Sequence, residues 1–169
     1  RSSVFLCTLL PLTFRQPPAV TSNNQRYKGF HPYKIDPKFR VSVLGSWRPE
    51  AGAPLFMLFS KHREFPLVKV LSEEAYNEKV DLIKNSGKDV KEQGKLLGKL
   101  AMLCREASLN DQGKLLVPKD LSEKAGITAD SDVTLVGRGI YFEIWNRANF
   151  NAVFEIETNE EIEDDLGIF

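Results

Sequence analysis

The segment Ile35-Asp36-Pro37-Lys38-Phe39-Arg40-Val41-Ser42-Val43 is the basis of the predicted fold, and a weaker version of it occurs as Leu109-Asn110-Asp111-Gln112-Gly113-Lys114-Leu115-Leu116-Val117. Each version holds an apolar residue, a polar turn that ends in a basic residue, and a short run typical of a β-strand. From residue 35 to residue 109 the offset is 74, and the same offset places residues 67–71 on residues 141–145. A spacing that two separate apolar segments share predicts an internal duplication.

Composition and charge restrict the classes of function. The 169 residues are 42% hydrophobic and 27% charged, which is typical of a globular protein with one domain or two small intertwined halves. No apolar run approaches the ~20 residues that span a bilayer. The net charge is zero, but residues 26–119 hold 18 basic and 11 acidic residues, whereas residues 120–169 hold 3 and 12. A basic body of this kind can bind a polyanion; the alternative is that the acidic tail only keeps the chain soluble.

The sequence lacks the residue patterns of enzymes and metal centres. Its two histidines, His31 and His62, have no neighbours that would form a nucleophile and base pair. The two cysteines, Cys7 and Cys104, do not have metal-ligand spacing. We therefore expect no catalytic residue, no metal and no cofactor.

Two series of strands and helices are predicted along the chain. The first consists of a strand from Arg40, a loop over 45–54, strands over 55–59 and 65–71 around a polar turn at 60–64, and helices over about 72–84 and 88–105. The second consists of a turn over 110–113, a strand over 114–117, a short helix over 118–126, strands over 132–136 and 141–145, and a last helix that Asn146 caps.

Each predicted turn places a basic residue where an exposed loop meets a buried strand. Because the segment is duplicated, Arg40 and Lys114 can be presented to a nucleic-acid duplex at a fixed separation. Arginine suits this role because its fork pairs bidentately with a phosphate or a guanine edge. Asp36 can pair with Arg40 and fix its rotamer; the alternative is an Asp–Arg pair that only tightens a β-turn.

These motifs resemble those of the MraZ family of bacterial transcriptional regulators, which are built from two tandem modules of the SpoVT-AbrB type. Residues 36–40 resemble the family's Asp-x-x-x-Arg element, with Phe39 where glycine is usual, and Tyr27-Lys28-Gly29 resembles the family start. Gln112-Gly113-Lys114-Leu115-Leu116-Val117-Pro118 is similar to the family's run out of its second element, and Leu135-Val136-Gly137 with Phe142-Glu143-Ile144-Trp145 to its hairpin. The resemblance covers roughly residues 26–155.

The resemblance implies an α+β fold in which two β-hairpin modules form a swapped-hairpin β-barrel, with helices after each module. The modules span 26–105 and 106–155, and an acidic tail follows at 156–169. Residues 1–25 have no family counterpart; we expect a disordered extension that begins upstream of the true first residue.

The same resemblance implies a DNA-binding transcriptional regulator of the cell-division and cell-wall gene cluster, cytoplasmic and nucleoid-associated. It would bind promoter repeats in double-stranded DNA as a ring-like homo-oligomer. The expected DNA contacts are Arg40, Lys38, Lys34, Lys28 and Lys114, with Asp36 and Asn110 stabilising the turns.

The second turn departs from the family pattern, and this supports an alternative hypothesis. Asn110 replaces the aspartate and keeps the turn without the ion pair, while Lys114 replaces the arginine and keeps the charge without the fork. Phe39 is bulky for a left-handed glycine position, so the first turn is expected to differ in shape. The alternative is an oligomeric scaffold or partner-binding protein of the same fold with degenerate DNA-binding elements.

Overall fold

The computed structural model describes residues 25–169, so the extension predicted at residues 1–25 lies, except for Gln25, outside the described part. This part is a mixed α+β structure, as expected. Its strands are β1 (Phe30–Lys34), β2 (Arg40–Ser42), β3 (Leu55–His62), β4 (Phe65–Ser72), β5 (Arg105–Ala107), β6 (Lys114–Leu116), β7 (Asp132–Gly137) and β8 (Tyr141–Asn146). Its α-helices are α1 (Glu73–Lys84), α2 (Val90–Leu103), α3 (Lys119–Lys124) and α4 (Arg147–Asn159), and a short 3-10 turn spans Gly45–Trp47.

Side-chain caps set the starts of the three longer helices. The hydroxyl of Ser72 accepts from the amide of Ala75 at the start of α1, and Asn146 accepts from Asn149 at the start of α4. Asp89 caps α2 by accepting from Glu92, so this helix begins after the position predicted from the sequence. Each cap satisfies an amide that has no partner within its own helix.

Two predicted boundaries were wrong because strand pairing extends or shortens the element. The helix predicted over 88–105 ends at Leu103, since Arg105–Ala107 pairs with β3 as strand β5. The turn predicted over 60–64 is shorter, since β3 continues to His62. Only Arg63 and Glu64 remain in the turn, and both have positive φ (49° and 66°), as a two-residue hairpin with right-handed twist requires.

The strands form an open six-stranded antiparallel sheet and a separate two-stranded ribbon. The order in the sheet is β1-β7-β8-β4-β3-β5, and β2 pairs with β6 in the ribbon. Among the described residues, the predicted barrel is therefore not closed. Strands β1 and β5 are the two edges of the sheet and do not pair with each other.

The register relates the two halves of the chain by an approximate two-fold axis. Strand β1 pairs with β7 and β5 pairs with β3, so each half contributes an edge strand to the hairpin of the other. Val41 lies opposite Leu115 in the ribbon and Lys69 lies opposite Glu143 in the sheet, and the members of both pairs are 74 residues apart (115 − 41 and 143 − 69). A residue that faces its own counterpart marks the axis of such an arrangement.

The sheet has the ribbon on one face and α4 on the other. Val41 and Leu115 of the ribbon are fully buried in one core cluster, together with Val68 and Ile144 of the sheet. The neighbouring residues along the sheet strands, Leu67 and Trp145, point to the opposite face and pack with Phe150 and Val153 of α4. Burial of one such aliphatic side chain contributes roughly 1.5–3 kcal/mol, so the inner face of the ribbon is firmly held.

Helix α2 has an apolar face that the described residues do not cover. None of its fourteen residues is buried, and Val90 and Met102 are 86% and 73% exposed. The face that carries Leu96, Leu97, Leu100 and Ala101 therefore does not belong to either core cluster.

Candidate nucleic-acid interface

The first turn, Asp36–Arg40, is organised by one carboxylate. Oδ1 of Asp36 accepts from the amides of Lys38 and Arg40, both at 2.8 Å, and Oδ2 accepts from Nε of Arg40 at 2.7 Å. The backbone closes the same turn, with Asp36 N donating to Arg40 O at 2.9 Å and Phe39 N to Asp36 O at 3.0 Å. Asp36 thus holds both the shape of the turn and the direction of the arginine side chain.

The ionisation of Asp36 follows from these contacts. The hydrogen bond from the backbone amide of Arg40 is the largest cause that lowers the pKa of Asp36 below its usual value, and the Arg40 guanidinium and the Lys38 amide add to it. The carboxylate is therefore charged at neutral pH, and protonation weakens the turn only as the pH falls below the usual range of aspartate.

The second turn, Asn110–Lys114, repeats this hydrogen bonding with a neutral side chain. Oδ1 of Asn110 accepts from the amides of Gln112 (3.0 Å) and Lys114 (2.9 Å). Asn110 N donates to Lys114 O at 2.9 Å, and Gly113 N to Asn110 O at 2.9 Å. The two turns differ at the second side-chain atom. In the first turn, Oδ2 of Asp36 accepts from Arg40, whereas Asn110 has an amide nitrogen there, which cannot accept a hydrogen bond from the Lys114 side chain.

The expectation that Phe39 changes the shape of the first turn was wrong. Phe39 has a φ of 59° and Gly113 has a φ of 73°, so both residues adopt the left-handed conformation. This conformation costs a residue with a Cβ about 1–2 kcal/mol. The Phe39 ring packs against the main core cluster, which offsets that cost by burial.

The ribbon places the two basic residues on one outward face. Arg40 lies opposite Leu116 and Ser42 opposite Lys114, on either side of the buried pair Val41 and Leu115. Because side chains alternate along a strand, these four residues share the face that points away from the core. Leu116, opposite Arg40 on this face, is 56% exposed, and the other three residues are partly exposed.

Comparisons with known proteins identify the family. A family model described as "MraZ protein, putative antitoxin-like" matches residues 102–165. The transcriptional regulator MraZ of Azoarcus sp. (strain BH72) is 30% identical over 129 residues, which are 73% of this chain and 83% of that protein. The chain belongs to the MraZ family. Two further relatives, also named transcriptional regulator MraZ, are from Anaeromyxobacter dehalogenans (30% over 129 residues; 74% of this chain and 87% of that protein) and Mycoplasmopsis pulmonis (25% over 133 residues; 77% and 85%).

The other three lysines predicted from the MraZ resemblance lie at different distances from the first turn. Lys38 is part of the turn and is exposed. Lys34, at the end of β1, pairs with Asp130 at 3.4 Å, and both side chains are 60% exposed. Lys28 precedes the other end of β1 and is six residues from Lys34. At the rise per residue of a β-strand this is about 20 Å, so Lys28 does not lie at the turn.

One arginine in this MraZ-family chain contacts the second turn and was missed at the level of sequence. Nε of Arg48 donates to Val43 O at 2.8 Å, and the guanidinium lies against Gly113. An open cleft of about 330 Å³ lies between the loop that begins at Arg48 and residues 109–113. No local signal connects Arg48 with Gly113, because the contact arises only from the pairing of β2 with β6.

The described part of the chain has neither a metal-site cluster nor a helix that could span a membrane. No cluster of His, Cys, Asp and Glu within residues 25–169 has the arrangement of a metal site. No helix in the same range has the length and apolar character that crossing a bilayer demands.

Proposed function

We propose that this chain is a DNA-binding transcriptional regulator of the bacterial cell-division and cell-wall gene cluster, and that it binds promoter repeats through Arg40 and Lys114. The observation that carries the proposal is the outward face of the β2–β6 ribbon, where both residues lie beside an exposed turn. Relatives named transcriptional regulators support the same function. The protein would act in the cytoplasm, at the nucleoid.

The ribbon is suited to a DNA groove in width and charge. A two-stranded ribbon fits the major groove of B-DNA, which is about 12 Å wide. Arg40 and Lys114 are on adjacent strands and two residues apart in register, so their Cα atoms are about 8 Å apart and both can reach one groove. Arg40 can bind bidentately to a phosphate or a guanine, whereas Lys114 adds a point charge.

The two halves would each be a SpoVT-AbrB module, spanning 26–105 and 106–155, with the acidic residues 156–169 as a tail. The exchange of β1 and β5 between the halves supports this division, because each hairpin is completed by a strand of the other half. The turns Asp36–Arg40 and Asn110–Lys114 then occupy equivalent positions in the two modules. DNA contact by Lys38, Lys34 and Lys28 remains a prediction, with Lys28 the most distant.

Salt dependence of DNA binding tests the proposed function. An oligomer that neutralises about six phosphates is expected to lose about 10³ in affinity between about 50 and 200 mM salt, because binding releases counterions from the DNA. The measurement is fluorescence anisotropy on a duplex from the region upstream of the protein's own coding sequence, with a shuffled duplex of equal composition as control. An oligomer that shows no salt-sensitive DNA binding would instead support the scaffold hypothesis.

We also propose that the chain forms a ring-like homo-oligomer, with the exposed apolar face of α2 in the subunit contact. Leu96 and Leu103 are seven residues apart on one side of this helix and are 39% and 44% exposed. An exposed apolar helix face of this kind marks an interaction surface in a folded protein. Several weak turns would then bind DNA repeats with a high combined affinity.

The double variant Leu96→Glu/Leu103→Glu is expected to dissociate the oligomer, because two carboxylates would be buried without partners in the contact. Sedimentation velocity measures the assembly, and circular dichroism shows whether the helix content is kept. Lys91→Glu adds an acid to a different side of α2 and is the matched control. A monomeric wild-type protein, or a double variant that assembles normally, would contradict the role of this face.

A further inference from the structure

We infer that Arg48, from the first half of the chain, supplies the guanidinium that the second turn lacks and binds a DNA phosphate beside Lys114. The inference rests on the proposed DNA-binding function and extends it to a residue outside both turn motifs. It also explains how a turn with asparagine and lysine in place of aspartate and arginine can still contact DNA.

The position of Arg48 is set by two contacts with the end of the ribbon. Its Nε donates to Val43 O at 2.8 Å. A Cβ atom placed on Gly113 would lie 2.2 Å from Cζ and 2.6 Å from Nη1 of Arg48, so the guanidinium rests directly on this glycine. Val43 N in turn donates to Gly113 O at 3.0 Å, which connects the anchor of Arg48 with the turn that it covers.

Arg48 at the second turn has the same arrangement of donors as Arg40 at the first. Arg40 is held through Nε by Oδ2 of Asp36, and Arg48 is held through Nε by the carbonyl of Val43. Among residues 25–169, no acceptor is hydrogen-bonded to the terminal nitrogens of either side chain. A guanidinium that is fixed by Nε and has both terminal nitrogens available is suited to bidentate binding of a phosphate.

The two turns differ in whether a second residue can lie on them. Gly113 leaves room for Arg48, whereas Phe39, at the corresponding position of the first turn, has a side chain of its own that packs against the main core cluster. At the 74-residue offset from Arg48 the chain has Ser122, which is buried in α3. Each turn therefore has one anchored guanidinium: the first has its own, and the second receives one from the other half.

Charges in the adjacent cleft indicate where the phosphate would bind. Glu50 and Asp111 line the cleft together with Arg48 and Gly113. These two carboxylates oppose the entry of an anion into the cleft. We therefore place the phosphate at the rim, where Arg48 covers Gly113 and Lys114 follows in the chain.

The test combines Arg48→Ala with Lys114→Arg, each alone and together, in anisotropy titrations on the same upstream duplex. For each subunit that contacts the DNA, we expect Arg48→Ala to weaken binding about tenfold and to reduce the slope of log affinity against log salt by about 0.9, the value of one phosphate contact. Lys114→Arg in the same chain is expected to recover most of the affinity, because it returns a fork to the turn. A purely structural Arg48 would lower the thermal midpoint and would not be rescued by a change at residue 114.

Controls separate this inference from the proposed function. Arg105→Ala removes an exposed arginine that pairs with Asp120. Like Arg48→Ala, it removes one positive charge, so it measures the effect of that loss of charge on DNA binding. If the wild-type protein binds DNA and Arg48→Ala binds equally well, or if Lys114→Arg gives no rescue, the role of Arg48 is wrong while the proposed function stands. If the wild-type protein shows no salt-sensitive binding, both are wrong.

Discussion

Arg40→Ala is expected to weaken DNA binding about a hundredfold, more than Arg48→Ala or Lys114→Ala. A charge-assisted hydrogen bond contributes about 1.5–3 kcal/mol, and 1.4 kcal/mol corresponds to a factor of ten. The change also leaves Asp36 without its partner on the face that we propose binds DNA, where an unpaired carboxylate would repel phosphate. The loss therefore includes both a missing donor and a new repulsion.

Lys114→Ala is the matched comparison, and we expect it to weaken binding less than tenfold. Its turn partner, Asn110, is neutral, so no repulsive charge remains when the lysine is removed. Both variants are measured by mobility shift and anisotropy on the upstream duplex. The pair of Arg40 and Asp36 is partly exposed (37% and 22%), so the thermal midpoint should change little and the fold should be kept.

Two further variants identify the cause of the loss. Asp36→Asn combined with Arg40→Ala removes the unpaired carboxylate, and it should bind more tightly than Arg40→Ala alone. Arg40→Lys keeps the charge without the fork and should lie between wild type and Arg40→Ala. Equal affinity of wild type and Arg40→Ala would show that the first turn does not bind DNA.

Arg138→Ala is expected to lower the free energy of unfolding by about 3 kcal/mol, the largest effect on stability among the changes considered. Glu143 is only 2% exposed, and its carboxylate accepts from Nε of Arg138. Removal of one partner from a buried ion pair costs about 3–5 kcal/mol, because the remaining charge has lost its compensation. Glu143 also lies at the approximate two-fold axis opposite Lys69, so the loss affects the centre of the sheet.

Denaturant titrations at equal protein concentration measure this effect, since the stability of the proposed oligomer would depend on concentration. Glu143→Gln in the Arg138→Ala background removes the unpaired charge and should recover a large part of the loss. Lys119→Ala breaks an exposed pair with Glu123 at 3.8 Å and should change stability by less than about 1 kcal/mol. A change of similar size in Arg138→Ala would mean that the pair contributes little.

The local features of the chain could be predicted from its residues. Asp36 and Asn110 form turns because their side-chain oxygens accept from amides two and four residues ahead, which depends only on nearby sequence. The starts of α1 and α4 follow in the same way from the caps at Ser72 and Asn146. The motifs that surround these turns were also sufficient to predict the MraZ family, which the comparisons confirm.

Features that depend on pairing between distant segments could not be predicted in this way. The predicted helix included Arg105, the first residue of β5, and residues 105–107 form a strand through their pairing with β3. The predicted barrel is not closed among the described residues, and β2 pairs with β6 in a separate ribbon; neither strand's own sequence specifies that partner. Hydrophobic periodicity predicts which face of a strand is buried, but it does not predict which strand pairs with it.

Two turns that end in Arg40 and Lys114 thus follow from local sequence, because the hydrogen bonds that form a turn join residues close in the chain. The common outward face of these two residues, and the position of Arg48 over Gly113, follow from the tertiary structure. These relations come from the register of β2 and β6, which sets Val41 opposite Leu115 across 74 residues of chain (115 − 41). Such a register depends on the packing of the ribbon against the whole sheet, and no short stretch of sequence contains that information.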